Sequence, residues 1–166
     1  MNRSESLEPR IPEEYEIVVL GSGEGGKYLA WAMAKQGKRV LVIEQTYIGG
    51  SCPNIACLPS KNVIHSAKVA SYFFRSEEFG ISKENVTINM TAVRDRKRTM
   101  VNELINVHLN NYKASGAELL MGWGRFVAPR TLEVALPDGH TRMVRGSKVV
   151  IGIGNPCHPA GDCWAG

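Results

Sequence analysis

A glycine-rich turn, placed between a short apolar run and a helix-forming segment, restricts this chain to a small set of folds. Residues 15–20 read YEIVVL, a run rich in β-branched side chains that predicts a buried strand. Gly21, Gly23 and Gly26 follow with the spacing G-x-G-x-x-G, and residues 27–36 then predict a helix. Such glycines allow a tight turn, a close approach of the backbone to a pyrophosphate and close helix–strand packing. We therefore favour a dinucleotide-binding turn over a purely structural one.

The segment after this helix completes a β-α-β unit. Gly37 ends the helix, and residues 39–43 (RVLVI) predict a second buried strand that is closed by Glu44. A carboxylate there can accept hydrogen bonds from a ribose diol, while phosphates would meet the free N–H groups at the helix start. Glu24, inside the turn, would repel a pyrophosphate, so we expect its side chain to point to solvent. The turn alone does not distinguish FAD from NAD.

A second segment, residues 49–61 (GGSCPNIACLPSK), indicates redox chemistry. Cys52 and Cys57 lie five positions apart, and a disulfide requires Cα atoms roughly 4.4–6.8 Å apart. The spacing fits if one cysteine precedes a helix and the other lies in its first turns, where the helix dipole lowers a thiol pKa. We therefore favour a redox-active dithiol over two buried small side chains. A zinc site is disfavoured, because the usual short ligand spacing is absent.

Composition excludes several classes of protein. The chain has 166 residues, 43% of them hydrophobic, which is enough for one domain with a core or for one domain and part of another. Four cysteines, including Cys157 and Cys163, are too few for a disulfide scaffold and indicate a reducing compartment. The polar, acidic start does not resemble a signal peptide, and no apolar run approaches the roughly 20 residues that span a bilayer. We predict a cytoplasmic protein with no membrane partner.

The net charge of +4 is mild, and its only dense basic cluster is at residues 94–98 (RDRKR). No nucleic-acid-binding motif and no interleaved aromatic residues accompany the cluster. We interpret it as a solvated helix face and predict no nucleic-acid partner.

The rest of the chain predicts two long helices followed by short strands. The first helix should begin near Cys52 and continue to Phe74, and the second should cover residues 91–115. The predicted strands are residues 118–121, 125–128, 131–136, 141–144 and 148–153, with a turn at residues 137–140. Trp123 and Phe126 are expected in the core.

The motifs GSGEGG and GGSCPNIACLPSK closely resemble the start of the flavin-dependent pyridine nucleotide–disulfide oxidoreductases. That family includes dihydrolipoamide dehydrogenase, glutathione reductase and mercuric reductase, and the cysteine segment looks most similar to mercuric-reductase-like members. The resemblance implies an α/β fold, a truncated Rossmann-like FAD-binding domain with a parallel sheet, helices and a β-meander. It implies three regions: a flexible N-terminal segment (1–13), the FAD-binding domain (14–154) and an irregular tail (155–166).

The resemblance also implies roles for individual residues. Cys52 corresponds to the thiol that exchanges with substrate, and Cys57 to the thiol stacked on the flavin in a charge-transfer contact. Lys61 corresponds to the lysine near the flavin N5 atom, and His65 does not correspond to the catalytic base, which comes from another domain. The implied cofactor-binding residues are Gly21, Gly23, Gly26, Glu44, Gly50, Ser51 (facing the pyrophosphate), Lys61, Gly124 (contacting the adenine) and Gly154.

In the family, NAD(P)H reduces FAD, which reduces the disulfide, and the dithiol then reduces a small-molecule disulfide or a metal ion. Family members are homodimers, but the NAD(P)H and dimerisation domains have no counterpart in these 166 residues. The tail is interpreted as an unrelated ending, or alternatively as an Ala-Gly-Asp flavin segment (residues 160–162) joined by an internal deletion. The alternatives to a disulfide oxidoreductase are a non-catalytic FAD- or nucleotide-binding module and an inactive, truncated product.

Overall fold

The computed structural model describes residues 11–82 and 84–154. They form two compact units. The sheet unit runs up to Tyr47 and resumes at Asn111, and the helical unit is Ile48–Asn110. The predictions for the tail, with Cys157, Cys163 and the Ala-Gly-Asp segment, lie outside the described residues, as do those for residues 1–10.

The sheet unit is built on a six-stranded mixed sheet whose strand order is β3-β2-β1-β6-β5-β4. Its strands are β1 (Glu13–Leu20), β2 (Val40–Glu44), β3 (Glu118–Met121), β4 (Trp123–Ala128), β5 (Thr131–Ala135) and β6 (Thr141–Ile151). Strands β3, β2, β1 and β6 run parallel, and β5 and β4 continue the sheet as an antiparallel meander. Helix α1 (Glu24–Lys35) connects β1 to β2. The predicted α/β class, a Rossmann-like sheet with a meander, is confirmed.

The core of the sheet unit is made by the apolar runs of the central strands together with side chains of the meander. Because β1 and β2 are covered on both faces, their apolar residues form continuous runs and do not alternate with polar residues. The buried cluster consists of Tyr15, Val18, Leu41, Ile43, Leu132, Val134 and Val144. Each such side chain stabilises the fold by roughly 1.5–3 kcal/mol.

Strand β6 is one continuous element, whereas the sequence predicted two strands with a break at residues 145–147. The break is wrong because β6 pairs with β1 from Glu13↔Val144 to Leu20↔Ile151, and this ladder carries the strand through Arg145 and Gly146. Gly146 suits the site, since a Cβ there would lie 2.6 Å from the Lys148 carbonyl oxygen.

The prediction that Trp123 and Phe126 belong to the core is wrong. Trp123 is 59% exposed and Phe126 is 44% exposed. Both lie on β4, the last strand in the sheet order, so side chains there receive less cover than those of the central strands.

An ion-pair network joins three strands of the sheet. The Arg142 guanidinium donates to both carboxylate oxygens of Glu13, at 2.6 and 2.8 Å, and to Glu118 Oε1 at 3.0 Å. The Tyr15 hydroxyl donates to Glu118 Oε2 at 2.7 Å. Burial and this hydrogen bond raise the pKa of Tyr15 to about 12, so the phenol stays neutral.

Replacing Arg142 by leucine is expected to lower the free energy of unfolding by about 1–2 kcal/mol at pH 7, since two carboxylates lose a charged donor. Hydrogen bonding to Arg142 lowers the pKa of Glu13. The stabilisation that the ionised Glu13 carboxylate contributes is therefore fully present above the ordinary glutamate pKa. It is lost as the pH falls through the lowered pKa that Glu13 has in the folded chain. Urea denaturation of the wild type and of Arg142→Leu at pH 7 and pH 3 measures the loss of stability and its dependence on pH. Arg125→Leu, which breaks the exposed pair with Glu133, is the control and should change stability less.

The helical unit contains a short helix, two long helices and a one-turn 3₁₀ segment. These are α2 (Ser51–Asn54), α3 (Cys57–Phe74), the 3₁₀ segment (Ser76–Phe79) and α4 (Met90–Ser115), of which residues 90–110 belong to this unit. The Asn89 side chain caps α4 by accepting a hydrogen bond from the Ala92 N–H at 3.0 Å. Within the described part of the chain, no helix combines the length and the apolar character that a membrane span needs.

Candidate functional site

The glycine turn lies at the carboxyl end of β1, where backbone segments approach too closely for side chains. Gly21 has a φ of +98°, and a Cβ on it would lie 2.4 Å from the Gly152 carbonyl oxygen. A Cβ on Gly26 would lie 2.4 Å from the Gly21 carbonyl oxygen. The Gly21 N–H donates to the Ile43 carbonyl at 2.8 Å, which fixes the turn beside β2. The first and third glycines are therefore required by the packing of the turn.

Helix α1 begins at Glu24, earlier than the predicted residue 27, with Gly23 as its N-cap. The first N–H groups of a helix have no carbonyl partner within it, and the helix dipole makes this end attractive to phosphate. Glu24 is half exposed, as predicted, but it also forms an ion pair with the buried Lys27, whose Nζ lies 2.6 Å from Glu24 Oε1. This pair offsets the negative charge that Glu24 brings to the turn.

The Glu44 carboxylate, predicted to face a ribose, is buried and accepts four hydrogen bonds from its own chain. Oε2 accepts from the N–H and the hydroxyl of Ser22, at 2.8 and 2.6 Å. Oε1 accepts from the N–H groups of Thr46 and Tyr47, at 2.8 and 3.0 Å. Burial opposes ionisation, but these hydrogen bonds outweigh it, and the pKa of Glu44 is lowered. Glu44 is thus an anionic anchor of the glycine turn.

Ser22 belongs to the site although it is not among the residues predicted from the sequence. It is fully buried between the first two glycines, and its hydroxyl connects the turn to Glu44. The signal that could have found it is a small hydroxyl residue inside the fingerprint, facing an acid at the end of the next strand.

Gly124 and Gly154 lie in different surroundings. Gly124 pairs with Val134 in the meander, and a Cβ there would lie 2.7 Å from Leu20 Cδ1, so a side chain would have to displace the end of Leu20. Gly154 follows β6 with a φ of +67° and open space around its Cα. Their roles in cofactor binding stay predictions.

In the helical unit, the cysteine segment differs from the predicted single helix. Cys52 lies within α2, and Cys57 is the first residue of α3, with Ile55 and Ala56 between the helices. The Ile55 and Ala56 N–H groups both donate to the Ser51 carbonyl at 2.9 Å, which ends α2 after one turn. Neither of these two cysteines forms a disulfide; Cys52 is partly exposed and Cys57 is exposed.

The described helical unit places a cation near the second thiol. Lys61 follows Cys57 by four residues on α3, so both side chains leave the same helix face. Lys61 and Ser51 are exposed, and Gly50 has a φ of +81° immediately before α2. His65 is exposed.

The residues of the sheet unit fit the adenosine diphosphate half of a dinucleotide. The glycines leave no side chain over the turn, and the start of α1 provides N–H donors for a phosphate. The Glu24–Lys27 ion pair offsets the negative charge of Glu24, which would otherwise repel that phosphate. These features define a dinucleotide-binding α/β protein, and its helical unit carries two cysteines that form no disulfide.

Comparison with known proteins identifies the class further. The family described as Pyridine nucleotide-disulphide oxidoreductase matches residues 15–161. Dihydrolipoyl dehydrogenase of Corynebacterium glutamicum is 41% identical over 126 residues, covering 75% of this chain and 26% of that protein. The Mycobacterium bovis dihydrolipoyl dehydrogenase is 35% identical over 143 residues, covering 85% and 30%. The chain belongs to the pyridine nucleotide-disulphide oxidoreductase family.

A solved structure agrees with this assignment. The Cu(II) complex of the HOCl-induced flavoprotein disulfide reductase RclA from Escherichia coli superposes with a TM-score of 0.72 at 28% identity, covering 89% of this chain and 31% of that one. The chain therefore spans about a quarter to a third of the length of these relatives.

Proposed function

We propose that this chain is the FAD-binding portion of a disulfide oxidoreductase that passes electrons from NAD(P)H through FAD to Cys52 and Cys57. The observation that carries the proposal is a pair of at least partly exposed cysteines, neither in a disulfide, on either side of a helix break. The other unit of the chain carries the glycine turn. The substrate is a small-molecule disulfide or a metal ion. Catalysis by these 166 residues alone is incomplete in this proposal, since the chain spans only about a quarter to a third of the length of the relatives.

The sheet unit would hold the FAD. Gly21, Gly23 and Gly26 leave room for the pyrophosphate, whose negative charge the start of α1 attracts. Glu44 fixes the turn through Ser22, and a ribose hydroxyl would have to share or replace one of its four donors. Bound FAD supplies two-electron chemistry, accepting a hydride equivalent and delivering two electrons to a disulfide.

The helical unit would supply the exchange chemistry. The Cys52 thiolate attacks a substrate disulfide, forming a mixed disulfide and releasing one substrate thiol. Cys57 then attacks the Cys52 sulfur, which releases the second thiol and closes the Cys52–Cys57 disulfide. Two electrons thus pass from the pair to the substrate. Lys61 brings a positive charge to the helix face where Cys57 reacts.

The visible spectrum of the purified chain tests this function. After addition of FAD and anaerobic reduction by two electrons with dithionite, we expect a long-wavelength band from the Cys57 thiolate beside the flavin. Cys57→Ser should lack the band. Cys52→Ser, the matched control, should show it before any reductant is added, because its Cys57 has no disulfide partner and the flavin is still oxidised. A bound flavin with the same spectrum in all three proteins would support a non-catalytic nucleotide-binding module instead. A chain that binds no flavin would contradict both functions.

A further inference from the structure

The backbone turn that leads into Cys52 is held by two side chains that the proposed electron transfer does not use. We propose that Asn54 and His108 are positioning residues that fix the Gly49–Gly50 turn and thereby set the redox potential of the Cys52–Cys57 pair. This inference rests on the proposed redox role of the two cysteines. It adds a determinant of their reactivity that lies outside the cysteines and the cofactor.

Asn54 closes the turn from within the cysteine segment. Its Nδ2 donates to the Ile48 carbonyl at 2.9 Å and to the Gly50 carbonyl at 2.7 Å. A side-chain amide has two N–H donors, and both are used here. Because both neighbours are carbonyl oxygens, the nitrogen and not the oxygen of the amide must face them. The two bonds hold together the residues on either side of Gly49.

His108 supports the same turn from α4. Gly49 is buried and has a φ of +90°, and a Cβ on it would lie 2.5 Å from His108 Nδ1 and 2.6 Å from Cε1. It would also lie 3.2 Å from Cγ of the buried Pro53. The imidazole, itself only 7% exposed, therefore lies directly against the Cα of Gly49. The turn is held by hydrogen bonds from Asn54 and by direct packing of His108.

The turn controls where the first sulfur lies. Gly49 and Gly50 both have positive φ values, and Gly50 is the N-cap of α2, two residues before Cys52. A disulfide tolerates only a narrow geometry, and deviations strain the bond and make it easier to reduce. A change in the turn should therefore alter the equilibrium between dithiol and disulfide, even when the rest of the chain stays folded.

The test is the redox equilibrium of the full chain in glutathione buffers, measured by alkylation of free thiols and mass spectrometry. In Asn54→Asp, carboxylate oxygens face the two carbonyl oxygens in place of the N–H donors. We expect its disulfide to be about tenfold easier to reduce, which is about 30 mV for a two-electron couple. His108→Ala, which removes the ring from Gly49, should change the potential in the same direction. If Asn54→Asp does not fold, the redox potential of His108→Ala decides whether the turn positions the cysteines.

Asn89→Asp is the matched control, because an aspartate at an N-cap accepts the Ala92 N–H as asparagine does. Its potential should equal that of the wild type. Wild-type values for every folded Asn54 and His108 variant would overturn the positioning role while leaving the proposed function intact. If the wild-type cysteines form no disulfide in any buffer, the redox role itself is wrong, whatever the variants show.

Discussion

Replacing Gly21 by alanine is expected to lower the free energy of unfolding by about 3 kcal/mol and to abolish nucleotide binding. Two costs add up. A non-glycine residue at a φ of +98° is strained by about 1–3 kcal/mol, and an atom forced into a packed site costs about 1–3 kcal/mol more. The contact cannot be relieved by a side-chain rotation, since the Cβ would meet the Gly152 carbonyl of the backbone at 2.4 Å. Urea denaturation measures the loss.

Gly25→Ala is the matched control for this substitution. It changes a glycine of the same segment that has open space around its Cα and lies in α1. Alanine is favoured over glycine inside a helix, so this variant should be unchanged or more stable by about 0.5–1 kcal/mol. Equal urea midpoints for the two variants would show that the approach of Gly152 does not constrain the turn.

Replacing Glu44 by glutamine is expected to cost about 2–4 kcal/mol at pH 7. The four donors converge on two carboxylate oxygens, whereas glutamine offers only one oxygen. Its NH₂ group would face N–H donors of the chain and leave at least one of them buried without an acceptor, at about 1–3 kcal/mol per group. Ser22→Ala, which removes one donor and keeps the carboxylate, should cost about 1 kcal/mol.

The effect of Glu44 depends on pH in a defined direction. Because its pKa is lowered in the folded chain, its contribution is fully present above about pH 4.3, the ordinary pKa of glutamate. The contribution is lost as the pH falls through the lowered value. The stability difference between wild type and Glu44→Gln should therefore shrink on acidification. A difference that stays constant from pH 7 to pH 3 would contradict the anionic anchor.

Local patterns predicted the elements on which the site is built. The apolar runs of β1 and β2, the glycine spacing between them and the acid at the end of β2 are all visible within about thirty residues. The predicted element boundaries were wrong where contacts between residues far apart in the sequence, or local backbone hydrogen bonds, determine where a strand or helix ends. Pairing with β1 made β6 continuous, and the hydrogen bonds to the Ser51 carbonyl separated α2 from α3.

The supporting residues were harder to predict than the chemical ones. Cysteines and glycines in fixed spacing indicate their chemistry directly. Ser22, Asn54 and His108 are ordinary polar residues, and each gains its role from the backbone or side chain that it contacts. The contact between His108 and Gly49 joins positions far apart in the chain, and no local periodicity reports it.

The interruption between α2 and α3 has a consequence for repeated turnover. When a disulfide is reduced, its two sulfur atoms must move apart, and an unbroken helix resists such a change because its backbone hydrogen bonds fix the distance between its residues. Cys52 and Cys57 belong to different helices joined by Ile55 and Ala56. A change in the distance between the two sulfur atoms would therefore not have to be absorbed within a single ladder of helical hydrogen bonds.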